Sequence, residues 1–225
     1  MIAAPDTERL IRRLSADLVP VRRLWPPWLR AAAWIGLAAA AGLVLALFAD
    51  LAPMRQRLLA LPDLRLAVIG SVLTAMCAGL SAFQLSVPGR SGAWILLPLP
   101  GAALWLAASG LGCLRGWGLP GLAPATMQDA GGCALFIAGV SIPLAAVQLW
   151  MLRRAHPLRP GRVAAMAGLA AAAASASLLT LFHPHDASAA DLVLHAAAVG
   201  LVVVASRAYG GRAWGGGALA AAEPL

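Results

Sequence analysis

The chain contains no lysine, one tyrosine and nine acidic residues in 225, and charged residues of every kind make up 12% of it. So little charge excludes an ordinary water-soluble domain, in which about a quarter of residues are charged. Together with an apolar content of 61%, it places the chain among membrane proteins. Three cysteines are too few for the disulfide framework of a small secreted protein, so each must be judged by its place relative to the bilayer. The cores of the long apolar runs hold no Asp, Glu or Arg, and Gln84, Gln148, His195 and a few hydroxyls are their main polar groups. That argues against ion-coupled transport, which usually needs an intramembrane carboxylate or similar relay. There is no internal repeat. About thirty residues with six Arg precede the first apolar run, and Leu47-Phe48-Ala49 is a poor cleavage site, so that run is expected to be an uncleaved span.

What the chain does have is six long apolar runs, each about long enough to cross a ~30 Å hydrocarbon core at 1.5 Å per residue. They cover residues 31–49, 66–87, 91–114, 130–152, 163–182 and 188–206, and predict an all-α bundle of six membrane-spanning helices. The fifth is mostly Ala. The sixth has fifteen uncharged residues between Asp191 and Arg207, so both charges must sit at the boundaries, with Arg207 snorkelling. Pro98, Pro100 and Pro143 fall inside spans three and four, where they are expected to kink or unwind the helix. The stretches Ala167-Gly168 and Ala170 to Ser177 suit close helix packing. Residues 208–225, rich in Gly and Ala, are expected to be a disordered tail.

Residues 1–30 form a polar, basic segment. Pro5-Asp6-Thr7-Glu8 reads as a helix start. Leu10, Ile11, Leu14 and Leu18 then share one face at helical spacing, with Arg9, Arg12, Arg13 and Asp17 outside that stripe. Pro20 ends the helix, and Arg22, Arg23, Trp25, Trp28 and Arg30 lead into the bilayer.

A formal charge of +8 could point to nucleic acid, but in a polytopic protein it more simply reflects Arg collecting in cytoplasmic loops. With the N-terminus inside, the inner segments hold thirteen Arg and the outer loops four: Arg55, Arg57, Arg65 and Arg115. Both termini are therefore expected in the cytoplasm, with no direct nucleic-acid contact. Trp25, Trp28, Trp34, Trp94, Trp150 and Trp214 fall near the inner boundary in this frame and Trp117 near the outer. The three Arg of residues 54–65 suit a short amphipathic turn on the membrane surface.

In this topology Cys113 closes span three and Cys133 opens span four, at the two ends of a polar loop facing an oxidising compartment. The two thiols are candidates for pairing, for joint binding of a thiophilic metal, or for burial as small apolar side chains. Cys77, deep in span two, reads as packing. His183, His185 and Asp186 lie on the same side and His195 about one turn inside span six, as possible accessory ligands or as a polar turn and a helix-to-helix hydrogen bond. The spacing is not that of a zinc motif. Gly89-Arg90-Ser91-Gly92 has the G-x-S-G form of an intramembrane serine protease, but Ser91 belongs to the inner turn and His195 to the outer side, out of hydrogen-bond reach. No enzyme activity is expected.

Several segments together resemble a known family. Leu10-Ile11 with Leu14, Asp17 to Leu24, Pro26-Pro27, Phe83 to Ser91, Leu97-Pro98-Leu99-Pro100, Gly112-Cys113 with Cys133, Leu158-Arg159-Pro160 and Leu181 to Ala187 resemble the NrsF-type membrane anti-sigma factors. The resemblance implies an inner-membrane protein that holds an extracytoplasmic-function (ECF) sigma factor at the cytoplasmic face and releases it under heavy-metal or oxidative stress. It implies a sensing role for Cys113 and Cys133, with no resident cofactor and at most a transient thiophilic metal as signal. By position, the sigma-contacting residues are expected to be Leu10, Ile11, Leu14 and Leu18 flanked by Arg12, Arg13, Arg22 and Arg23, the alternative being that the same helix only lies on anionic lipid. A small transporter or lipid-handling protein is the competing expectation, because Pro-broken spans can line a path.

Overall fold

The computed structural model describes residues 4–16, 23–118, 127–182 and 189–214. Among these residues every regular element is helical: α1 (Ala4–Ala16), α2 (Pro27–Ala46), α3 (Leu51–Ala60), α4 (Pro62–Leu85), a 3₁₀ turn (Gly92–Leu96), α5 (Leu99–Gly118), α6 (Met127–Arg153), α7 (Pro160–Leu179) and α8 (Ala189–Trp214). Six segments are long and apolar enough to cross a membrane, as the sequence predicts. Proline sets three starts: α2, α4 and α7 open on Pro27, Pro62 and Pro160, where the missing N–H costs nothing and the fixed φ suits a first turn. The short helix α3 opens differently, with the Asp50 carboxylate accepting from the Ala52 N–H at 3.1 Å.

The bundle is assembled around α7. From Val163 to Ser175 most of its residues are buried, and nearly all are Ala, Gly or Ser; α4, α6 and α8 pack on it from different sides. Lipid tails are as apolar as a leucine side chain, so helices in a bilayer associate through close packing and hydrogen bonds more than through hydrophobicity. A helix of methyl groups lets its neighbours' backbones come close. A Cβ on Gly168 would lie 2.7 Å from the Ser206 hydroxyl and 3.0 Å from the Val202 carbonyl oxygen of α8. Hydroxyls join the same helices: Ser141 of α6 donates to Ser175 at 3.1 Å, and Ser177 donates to Ser71 of α4 at 2.8 Å. α2 closes the bundle through Trp34, which is 1% exposed, sits over Gly79 and donates its indole N–H to the Leu144 carbonyl at 3.1 Å. α5 packs along α4, where Gly70 and Gly101 bring the two backbones together.

Six crossings put Pro27 and Trp214 on one face. That face also carries Arg90, Arg153, Arg154, Arg159, Arg162, Arg207 and Arg212 and is called the basic face below; the far face carries α3 and the ends of α5 and α7.

Several expectations change. Spans three and four are neighbours in sequence but not in the bundle: α5 lies on α4, α6 lies on α7 and α8, and among the described residues α5 and α6 share no substantial contact. Cys113 and Cys133 do lie at the ends of the apolar spans, Gly92–Leu114 and Gly131–Arg153, but the helices run further, α5 to Gly118 and α6 from Met127. Small residues and intrahelical hydrogen bonds let both helices extend past the apolar runs into polar sequence. For the same reason α8 continues to Trp214, where the sequence suggests a disordered tail from residue 208; residues 215–225 lie outside the described set. Span three starts as the 3₁₀ turn and restarts at Leu99, as two prolines require. Pro143, by contrast, sits inside an unbroken α6. Trp34 is a core residue and not an interfacial anchor.

A Cβ on Gly70 would stand 2.5 Å from the Trp105 nitrogen and 2.8 Å from its Cα, and backbone atoms cannot turn away. Gly70→Ala should therefore lower stability by about 1–3 kcal/mol through overpacking. Gly36 has nothing within 4 Å of such a Cβ, and Gly36→Ala should be neutral or stabilising by up to about 1 kcal/mol. Thermal unfolding of the two variants in detergent distinguishes close backbone approach from glycine placed by chance.

Candidate functional site

Three places in the chain carry chemistry beyond packing. The first is α1. Its described side chains from Thr7 to Ala16 are all exposed, and Leu10, Ile11 and Leu14 of the expected stripe keep 56%, 59% and 65% of their surface. Arg12, Arg13 and Arg23 are exposed as well. Ser15 donates to the Ile11 carbonyl at 2.6 Å, back-bonding along the last turn. Leu18 and Arg22 lie outside the described residues.

The second place joins α2 to the bundle. Arg30, one turn into α2 and 6% exposed, lays its guanidinium carbon 5.4 Å from the centroid of the Phe83 ring and donates from Nη2 to the Ser86 hydroxyl at 3.4 Å. Its Nε and Nη1 are buried with no hydrogen-bond partner among the described residues. A buried guanidinium over an aromatic face is held firmly by desolvated cation–π attraction, so the first turn of α2 is tied to the last turn of α4. In sequence Arg30 reads as one more boundary charge; its spacing of four from Trp34, on the same helical face, is the one local signal of its burial.

The third is a cavity of about 130 Å³ at the far face. α3 contributes Arg57, the start of α4 Asp63, α5 Trp105, Ser109 and Gly112, and α8 His195. A Cβ on Gly112 would lie 2.8 Å from the Asp63 carboxylate, so that carboxylate rests on the α5 backbone beside Cys113. The mixed lining has room for a small polar or amphipathic molecule. Asp63 and Arg57 were not singled out from the sequence, because their convergence depends on the fold of α3 back onto α4.

The predicted sensor and ligand residues are distributed unevenly. Cys113 is buried, while Cys77 and Cys133 are half-buried. Among the described residues, the helices that carry Cys113 and Cys133 do not pack on each other, so one rigid element does not hold both. His195 lines the cavity. His183, His185 and Asp186 lie outside the described residues. Among the described residues, no three His, Cys, Asp or Glu side chains are placed to hold a metal ion. Ser91 caps the 3₁₀ turn by accepting from the Ala93 N–H at 3.2 Å. It follows the end of α4, whereas the wall carrying His195 includes the start of α4, about 36 Å away at 1.5 Å per residue over 24 residues.

These features define a class: a multi-pass membrane protein with six apolar spans, preceded by an exposed amphipathic helix. The chain belongs to the family described as negative regulator of sigma F, NrsF, whose model matches residues 14–214. The match begins inside α1 and runs to the end of α8, so the first turns of α1 precede it. Comparison with curated proteins and with solved structures found no match. Membership makes a sigma factor the partner and negative regulation the role.

Thiol reactivity should follow burial. Cys113, with 8% of its surface exposed, should react with a bulky maleimide much more slowly than Cys133 in the detergent-solubilised protein. Peptide mass spectrometry over a labelling time course gives the order; faster labelling of Cys113 would contradict its buried position.

Proposed function

We propose that this protein is an integral anti-sigma factor of the inner membrane. It sequesters an ECF sigma factor at the cytoplasmic face through α1 and releases it when heavy-metal or oxidative stress acts on Cys113 and Cys133 at the periplasmic face. The observation that carries the proposal is the exposed stripe Leu10, Ile11 and Leu14 on a short helix outside the six spans of a negative regulator of a sigma factor. An apolar helical face in a groove provides affinity and the flanking Arg side chains steer towards an acidic partner. The excess of Arg on the basic face supports its assignment to the cytoplasm.

The route of the signal in this proposal is α4. Gly112, beside Cys113, contacts Asp63 at one end of α4, and Phe83 and Ser86 at its other end hold Arg30, close to the segment that leads back to α1. Modification of a buried Cys113 would strain the α5 contact with α4. A signal moves the equilibrium only through its differential affinity for two packings, and the buried guanidinium is a contact with something to lose. Cys133, on α6, would act through α7 and α8 or recruit the modifying agent.

Capture of the cytoplasmic partner is the primary test. Cross-linking in cells followed by purification of the full chain should recover a sigma factor, and Leu10→Asp with Leu14→Asp should reduce recovery by about tenfold or more, as expected for removal of central apolar anchors. Wild-type recovery from that variant would assign the stripe to lipid. Serine at both Cys113 and Cys133 should leave sigma binding intact and remove induction by metal or oxidant; normal induction would make the thiols structural. Arg30→Met, similar in length and free of the buried charge, should keep the bundle folded and blunt induction. Substrate-dependent flux in proteoliposomes without any recovered sigma factor would instead favour a transporter using the far-face cavity.

A further inference from the structure

The basic face holds a second cavity, of about 220 Å³, between two tight turns. One turn links α4 to the 3₁₀ segment and carries Arg90; the other links α6 to α7 and carries Arg159, with Arg162 in the first turn of α7. Each turn contains a residue with left-handed backbone, Gly89 at φ 81° and His156 at φ 45°. The second is uncommon for a side chain with a Cβ, and the two reversals set the Arg side chains on facing walls. Arg159 reaches across towards the other turn: its Nη1 would be 3.8 Å from a Cβ on Gly92. No carboxylate lines the cavity among the described residues. The start of α7 adds to this field, because no side chain caps it and a helix N-terminus favours an anion. The rest of the lining is apolar, with Leu85, Ile95 and Val163 drawn from the ends of membrane-crossing segments. Leu158, beside Arg159, is 77% exposed.

We propose that this cavity is a binding site for the phosphate of an anionic phospholipid, with Arg90 and Arg159 on the phosphodiester and the apolar wall against the glycerol and first acyl carbons. Cationic groups alone would suit any anion. The apolar half, at the level where the spans end, suits a lipid and not an ion in water. The volume exceeds what one bound ion needs, since about 10–15 Å³ on the same measure holds a water. A lipid seated between the two turns would bridge the α4 end of the bundle to the start of α7, and thus fix the face from which α2 enters. This site stands independently of the proposed sigma-binding and thiol-sensing roles.

The test uses the full chain in neutral detergent, read by native mass spectrometry during titration with dioleoylphosphatidylglycerol or dioleoylphosphatidylcholine. Phosphatidylglycerol should be retained in preference to phosphatidylcholine. Arg90→Gln with Arg159→Gln should weaken its binding by about thirtyfold, as two near-surface Arg contacts predict. Arg90→Lys with Arg159→Lys should restore most of it. Arg153→Gln with Arg154→Gln removes equal charge from two side chains that stack on Trp150 outside the cavity, and should leave binding unchanged; circular dichroism and gel filtration confirm folding of each variant. Equal retention by the Arg90/Arg159 variant and the wild type would overturn the site, and an equal loss in the Arg153/Arg154 variant would reduce it to diffuse charge. Displacement of the lipid by inorganic phosphate alone would assign the cavity to a free anion. Unchanged lipid binding with lost sigma-factor capture in the Arg90/Arg159 variant would assign it to an acidic protein segment.

Discussion

Everything in this bundle depends on the closeness with which other helices approach α7. A membrane offers little hydrophobic reward for helix association, so a six-helix protein needs a contact that lipid cannot imitate. α7 provides it through the small side chains that fill most of its buried stretch. Its Ala, Gly and Ser residues let α4, α6 and α8 approach until backbone and hydroxyl atoms touch, and Ser141, Ser175, Ser177 and Ser71 then bond across the gaps. Larger residues on α7 would push the surrounding helices apart. The low apolarity that makes this the least membrane-like of the six spans by composition is explained by its position, since two-thirds of it faces protein and not lipid.

The central position of α7 also determines who neighbours whom. Because α6 and α8 occupy two of its flanks and α4 a third, α5 is left to pack on α4 from outside, away from its sequence neighbour α6. α4, in contact with α2, α3, α5 and α7, is then the helix that joins α5 to the start of α2. Its two ends are chemically marked, by Asp63 against α5 on the far face and by the Arg30 contact with Phe83 and Ser86 on the basic face. The proposed release by stress at the far face requires a link of this kind. In the proposed mechanism Cys113 acts on α4 through α5 and Cys133 acts through α6 on α7 and α8, so the two thiols need not move as one unit.

Much of the architecture was legible from residues alone. The six runs, the broken start of span three and the exposed stripe of α1 all follow from local periodicity and proline chemistry. Element ends were less legible. Cys113 and Cys133 mark the limits of apolar composition, but the helices continue beyond them because backbone hydrogen bonding does not stop where hydropathy does. Trp34 looked like an interfacial anchor by its distance from Arg30; only the presence of Gly79 and the Leu144 carbonyl on two other helices makes it a core residue. The cavities were invisible for the same reason, since each is lined from stretches of chain far apart in sequence.

The sequence by itself determined the class, the number of spans and the family, because these depend on composition and on motifs that persist through residue order. It also determined that a basic, amphipathic helix would precede the bundle. Only the tertiary structure decided that the mostly-Ala span is the central one, that the two sensor candidates sit on helices that do not pack together, and that Arg90 and Arg159, nearly seventy residues apart, share one cavity. Such facts rest on which helix faces meet, and in a bilayer that choice is made by close packing between distant segments, which no local pattern encodes.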